Sequence, residues 1–158
     1  MSLVHEQIYR GTSLEGVEAA GYFARLAEYL VGVHDARARG IRIEVKADDI
    51  VLPIDSAMPL SIITTELVSN AFKHGFPDSR GGTVAIALER VGDFFEFRVS
   101  DDGIGFSAAK KAGVVPGKHK GIGMDLIEAL AGQLGGTMER IDSQGAQTVM
   151  RFPVKPAE

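Results

Sequence analysis

The chain has 158 residues, 45% hydrophobic and 24% charged, with a net charge of −4 and no cysteine. This is the composition of one globular domain large enough to bury a core, and it excludes disulfides, thiolate metal sites and a cysteine nucleophile. The basic residues are dispersed, which argues against a nucleic-acid surface, and no apolar run reaches the length of a membrane span.

Residues 4–10 form a short apolar-polar segment stopped by Gly11. Ser13 reads as the N-cap of a helix running from Gly16 to about Ala36 or Ala38. Its apolar face is Val17, Ala20, Phe23, Ala24, Ala27, Leu30, Val31 and His34, and Gly40 is its C-cap. Residues 41–45 alternate as a half-buried strand does, and a second short strand is expected at 50–54. Asp55 reads as the cap of the next helix, where Pro59 falls early enough for its missing N–H to do no harm. Gly75 and Pro77 break the chain after it, and residues 79–82 are loop. Residues 83–91 and 94–100 are β runs joined by Gly92-Asp93, a hairpin signal. Residues 107–120 hold little periodicity but carry Lys110, Lys111, Lys118, His119 and Lys120, as a basic lid would. A helix at 124–134 closed by Gly135-Gly136 and a last hairpin, 137–141 with 147–154, complete the chain. The order predicts an α+β fold, a two-layer sandwich with helices on one face of a mixed, mostly antiparallel sheet.

Three stretches carry chemistry. Residues 66–75 read Glu-Leu-Val-Ser-Asn-Ala-Phe-Lys-His-Gly. At roughly 100° per residue, a helix here sets Glu66, Asn70 and Lys73 on one stripe amid apolar neighbours. Buried polar groups need partners. Either the cluster satisfies itself, Glu66 with Lys73, or it forms the wall of a pocket for a metal ion and its anion. Asp101-Asp102-Gly103-Ile104-Gly105 follows a strand, where an acid accepts hydrogen bonds and glycines turn tightly beside a flat ligand. Gly121-Ile122-Gly123-Met124 opens a helix whose free N–H groups suit an anion.

In this order, with a basic segment between the last two, these motifs resemble the Bergerat-fold ATPases: sensor histidine kinases, gyrase-type topoisomerases, Hsp90-type chaperones and MutL-type repair proteins. Residues 55–77, Gln133-Leu134-Gly135-Gly136 and Arg151-Phe152-Pro153 are most similar to histidine kinases of the HWE/HisKA_2 type. The resemblance implies an ATP- and Mg²⁺-dependent kinase that phosphorylates a histidine and then a response-regulator aspartate. It implies Asn70 as Mg²⁺ ligand, and Glu66 as a base or as the holder of a metal-bound water. Lys73 and His74 would face phosphate or ribose, and Asp101 would read adenine, with Gly103 and Gly105 in the pocket floor. Lys120, Gly121, Gly123 and Met124 would lie along the nucleotide, and Thr148 near adenine.

Residues 1–12 resemble the tail of a dimerisation and phosphoacceptor region whose histidine lies upstream, leaving 13–158 as the catalytic domain with a lid at about 106–120. The implied partners are a receiver domain and the protein's own dimerisation domain in a homodimer, in the cytoplasm, without nucleic acid or direct membrane contact. His5-Glu6 and His34-Asp35 superficially resemble an acceptor box, but His5 has the wrong neighbours and His34 lies on an apolar helix face. A stand-alone anti-sigma-factor-like serine kinase and a non-catalytic nucleotide-binding scaffold are the alternatives. The residues at 5–9 and the long first helix argue against the former, and the intact motifs against the latter.

Overall fold

A computed structural model describes residues 16–77, 80–105, 122–142 and 144–154. Strand alternation sets the frame. In β2 (Ile41–Ala47), Ile41 is buried while Arg42, Glu44 and Lys46 are exposed, so one face is committed to a core. β4 (Gly82–Val91) and β5 (Phe94–Asp101) repeat the pattern with Val84, Ile86 and Leu88, then Phe95, Phe97 and Val99, all buried. β6 (Thr137–Asp142) and β7 (Ala146–Pro153) complete a sheet of order β2-β4-β5-β7-β6. Only β2 and β4 run parallel; the other neighbours are antiparallel. The mixed, mostly antiparallel sheet is therefore as expected. So are both hairpins, the first turning at Gly92 with φ +64° and pairing Val91 with Phe94.

Among the described residues three helices pack on the committed face: α1 (Ala19–Val33), α2 (Ile54–Asn70) and α3 (Ile122–Gln133). Phe23 of α1 stacks on Phe97 of β5, their ring centroids 5.5 Å apart, and the Tyr22 hydroxyl donates to the Ala57 carbonyl of α2. On the opposite face of the sheet Glu96 is buried beneath two arginines. Arg98 pairs with it directly, and Arg151 Nε lies 3.0 Å from its Oε2.

Several boundaries differ from the sequence reading. α1 starts at Ala19 rather than Gly16, because Val17–Glu18 (β1) pairs antiparallel with Val51–Leu52 (β3) and Glu18 caps the helix through the Gly21 N–H. α1 also ends at Val33, short of Ala36. Asp35 takes a left-handed φ of 51°, and the Ala36 N–H closes back on the Val31 carbonyl. A 3₁₀ turn at Arg37–Arg39 then leads to Gly40, φ +73°, where β2 begins. Within α1 the buried face includes Tyr22 and Leu26, while Ala24 is exposed. Asp55 is not the cap of α2: that position is Pro53, without a side-chain bond, and Asp55 stands in the first turn, where its charge suits the helix dipole. α3 ends as expected, with Gly135 left-handed and the Gly136 N–H bonded to the Ala131 carbonyl. The expected Ser13 cap, the segment at 4–10 and the lid at about 106–120 lie outside the described residues.

Candidate functional site

The site lies where the C-terminal end of α2, the C-terminal end of β5 and the start of α3 meet over the sheet. After Asn70 the helix does not simply continue. Ala71–Gly75 forms a π turn, a feature frequent at functional sites, and Phe76 follows in non-helical backbone. An i→i+5 turn takes more residues per revolution than an α turn. Lys73, which α periodicity would hold near Asn70, is therefore carried further from it and stands exposed, while His74, four residues on from Asn70, stays on its side and shares the cavity with it. Buried Phe72 anchors the turn in the core, and its ring lies 5.4 Å from that of His34. The edge of the His34 ring is held by Ser69: Nε2 and Oγ are 2.9 Å apart.

Asp101, the last residue of β5, is the most enclosed acid of the cavity. Its Oδ1 accepts from the Gly103 N–H at 2.9 Å and the Ala146 N–H at 3.4 Å. Burial pushes its pKa above the ordinary carboxylate value, with neighbouring Asp102 adding to the effect. The two N–H bonds and the Arg80 cation oppose it. The backbone around this carboxylate leaves no room for side chains. A Cβ on Gly103 would lie 2.0 Å from the Gly75 carbonyl oxygen, and one on Gly145 only 1.9 Å from the Asp101 carbonyl oxygen. The Ile104 N–H bonds that same Gly75 carbonyl at 2.9 Å. Gly75, Gly103 and Gly145 thus bring three loop backbones into contact around one acid. Asp102 has a separate duty: its Oδ1 accepts from the Thr83 N–H at 2.8 Å and ties the β5 exit to the start of β4.

One cavity joins Asn70, His74, Asp101, Gly105, Met124 and Thr148 of the residues expected at the site. Its walls also include Leu67, Ala71 and Gly75 from the helix side, and Val99, Arg140 and Ala146 from the sheet. Thr148 is buried and sits in register with Val99 on one side and Arg140 on the other. Burial holds the His74 imidazole below its ordinary pKa, and the Lys73 ammonium adds to that, which keeps the ring neutral near pH 7.

Other expected residues stand apart. Glu66 is half-buried one helical turn before Asn70 and does not line the cavity, and neither does exposed Lys73. Gly103 packs against Gly75 behind Asp101 rather than against the hollow. Gly123 lies in the first turn of α3, while Lys120 and Gly121 are outside the described residues. The sequence reading missed Gly75, Gly145 and Arg140. The two glycines carried a signal, since one ends the Lys-His-Gly helix and the other sits in the turn of the last hairpin. Arg140 carried none, being one polar residue in an edge strand.

Helices on one face of a mixed sheet, with a hollow between a helix end, a strand-terminal acid and the start of the next helix, make this a domain of the Bergerat ATPase architecture. The chain belongs to the histidine kinase-, DNA gyrase B- and HSP90-like ATPase family, whose model matches residues 55–158. It is 28% identical over 184 residues to the sensor histidine kinase PdtaS of Mycobacterium tuberculosis, covering 97% of this chain and 36% of that protein. The chain therefore spans about a third of that relative's length. Among solved structures, the histidine kinase domain of the Erythrobacter litoralis EL346 blue-light activated histidine kinase superposes with a TM-score of 0.77 at 19% identity. It covers 96% of this chain and 76% of that one. Full-length ShkA in complex with AMPPNP superposes with a TM-score of 0.68 at 22% identity, covering 99% of this chain and 35% of that one. Among the described residues no helix is long and apolar enough to cross a membrane.

Proposed function

We propose that the chain is the ATP-binding catalytic domain of a cytoplasmic two-component sensor histidine kinase. The observation that carries this reading is the convergence of Asn70 and Asp101, distant in sequence, on one cavity with apolar walls from Leu67, Val99 and Met124. Such a hollow fits a flat base. The Gly103 and Ala146 N–H bonds both fall on Oδ1, which leaves Oδ2 for an incoming donor such as the adenine amine. Asn70 offers a single neutral oxygen, which suits Mg²⁺, an ion that keeps waters and takes its remaining ligands from phosphates. When bound, Mg·ATP supplies the phosphoryl group and neutralises part of its charge.

The protein's share of that chemistry is positioning. Asp101 and Thr148 orient the base, Gly105 and Met124 bound it, and Asn70 fixes the metal. His74 meets the ribose or phosphates as a neutral donor, while Lys73 serves from the rim as a mobile cation. With Mg²⁺ bound, Glu66 would hold one of the ion's waters or serve as base from behind Asn70. Gly121, Gly123 and Lys120 receive the phosphates, with the lid at about 106–120. The nucleophile is a histidine of the dimerisation and phosphoacceptor region, whose tail is residues 1–12. His34 is not that group, because Ser69 and Phe72 hold it inside the α1–α2 contact. The phosphoryl group passes from the ATP γ-position to an imidazole nitrogen, leaving ADP, and then to a receiver-domain aspartate.

Two measurements test this: calorimetric binding of ATP with and without Mg²⁺, and transfer of label from γ-³²P-ATP to a supplied acceptor domain as an acid-labile product. Micromolar binding and acid-labile label are expected. Absence of nucleotide binding refutes the ATP site, and acid-stable label on a serine-bearing substrate would move the assignment to a serine kinase.

A further inference from the structure

We propose that Arg140 is a base-contacting residue of the nucleotide site, its guanidinium lying against the heterocycle rather than the phosphates. The inference rests on the ATP reading of the cavity and adds to it the group that covers the base from the sheet edge.

Sheet register carries the argument. Arg140 of β6 pairs with Thr148 of β7, and Thr148 pairs with Val99 of β5. All three line the cavity, so three adjacent strands contribute one continuous row of its wall. With neighbouring strands about 4.8 Å apart, Arg140 starts roughly 10 Å from Val99, and in that row only an arginine side chain is long enough to reach back. Two residues nearer the turn, the next row on the same face contains Ala146 and Asp101, joined by the bond from the Ala146 N–H to Oδ1. Arg140 and the base-reading acid therefore belong to one two-row patch of sheet. The side chains assigned to metal and phosphate, Asn70 and His74, stand on the opposite, helical wall.

The chemistry fits that placement. Arg140 is the one lysine or arginine lining the cavity among the described residues, and its side chain is exposed at the mouth. A guanidinium is planar and weakly hydrated, and it stacks on aromatic faces. An ammonium at the same place acts as a hydrated point charge. Contacts of a cation with an aromatic face strengthen as the pair is desolvated.

Affinities of wild type, R140A, R140Q and R140K for adenosine, ADP and Mg·ATP, measured by calorimetry, separate the possibilities. Circular dichroism melting checks that each variant folds, as an exposed side chain leads one to expect. A base contact predicts that R140A and R140Q weaken all three ligands by the same factor, roughly tenfold. R140K should lose nearly as much, because it keeps the charge and loses the plane. A loss that grows from adenosine to ATP would place Arg140 on the phosphates and overturn the proposal. Unchanged affinities, or a lysine variant equal to wild type, would also overturn it. If wild type itself binds neither adenosine nor ATP, the ATP reading falls and this one with it. If wild type binds and only the arginine variants fail to respond, this one falls alone.

Discussion

Replacing Asp101 by Asn is expected to move folding stability and nucleotide affinity in opposite directions. Asn keeps a carbonyl oxygen that can accept the Gly103 and Ala146 N–H bonds now made to Oδ1, so the glycine cage needs no rearrangement. It removes a carboxylate whose pKa burial has raised. The folded protein therefore holds this proton more tightly than the unfolded chain. A destabilising contribution is present at neutral pH and is relieved as pH falls through the raised pKa towards the ordinary carboxylate value of 3.8. Asp101→Asn should melt at the same temperature as wild type or higher at pH 7, with the difference shrinking as pH falls through that window. Binding should change the other way. The atom facing the ligand becomes an NH₂ donor opposed to the adenine amine, and a hydrogen bond to a charged acceptor, worth about 1.5–3 kcal/mol, is lost along with the desolvation of an unpaired donor. At about 1.4 kcal/mol per decade, the lost bond alone gives an affinity loss of roughly 10- to 140-fold for ATP and adenosine alike. Inosine nucleotides, which carry a carbonyl where adenine has its amine, should show a far smaller loss or a gain. The assays are calorimetry with both nucleotide series and melting from pH 4 to 8. If the variant folds and binds ATP as wild type does, the carboxylate does not read the base. If ATP and ITP lose affinity equally, Asp101 supports the pocket's shape and not its hydrogen bonding.

Asn70→Ala should abolish Mg²⁺-dependent transfer to an acceptor domain while lowering metal-free nucleotide affinity less than threefold, about 0.6 kcal/mol. Transfer that survives would remove Asn70 from the metal. Gly103→Ala places a methyl 2.0 Å from the Gly75 carbonyl oxygen, so loops must shift. A loss of about 1–3 kcal/mol by urea denaturation, with weaker ATP binding, is expected for such overpacking; an unchanged midpoint would refute the close backbone contact. His34 and His74 are both held below their ordinary pKa of 6.5, first by burial and then by Lys73, with Arg39 also acting on His34. The unfolded chain then takes up protons first, so stability should fall as pH drops from about 6.5 through the folded values. His34→Gln should flatten that slope, and an unchanged slope would show that His34 contributes none of it.

The frame of this fold was legible in the sequence because several β runs alternate and most of the breaks between elements carry glycine. Residues 41–45, 83–91 and 94–100 needed little more than a period of two to declare their buried faces. The first helix was read less well. Its start was lost to β1, whose two residues pair with β3 across more than thirty positions of sequence, a non-local contact that no periodicity records. Its end was lost to Asp35, since a left-handed non-glycine carries no compositional mark.

The site divides along the same line. Asp101 and Asn70 announced themselves as polar residues at a strand end and within an apolar helix, and both reach the cavity. The stripe of Glu66, Asn70 and Lys73 assumed a single α period, which the π turn interrupts between Asn70 and Lys73. That turn follows from packing rather than propensity: Phe72 is fully buried, its ring against His34, while Gly75 must present its carbonyl to the Ile104 N–H. Nothing local in Ala-Phe-Lys-His-Gly demands an extra residue in the turn. The demand comes from the loop after β5, which passes so close to Gly75 that Gly103 has no room for a Cβ. The contact that seats Asp101 at one end of the cavity thus also fixes the end of the π turn that carries His74. A substitution at Gly75 or Gly103 should therefore disturb both walls of the site together.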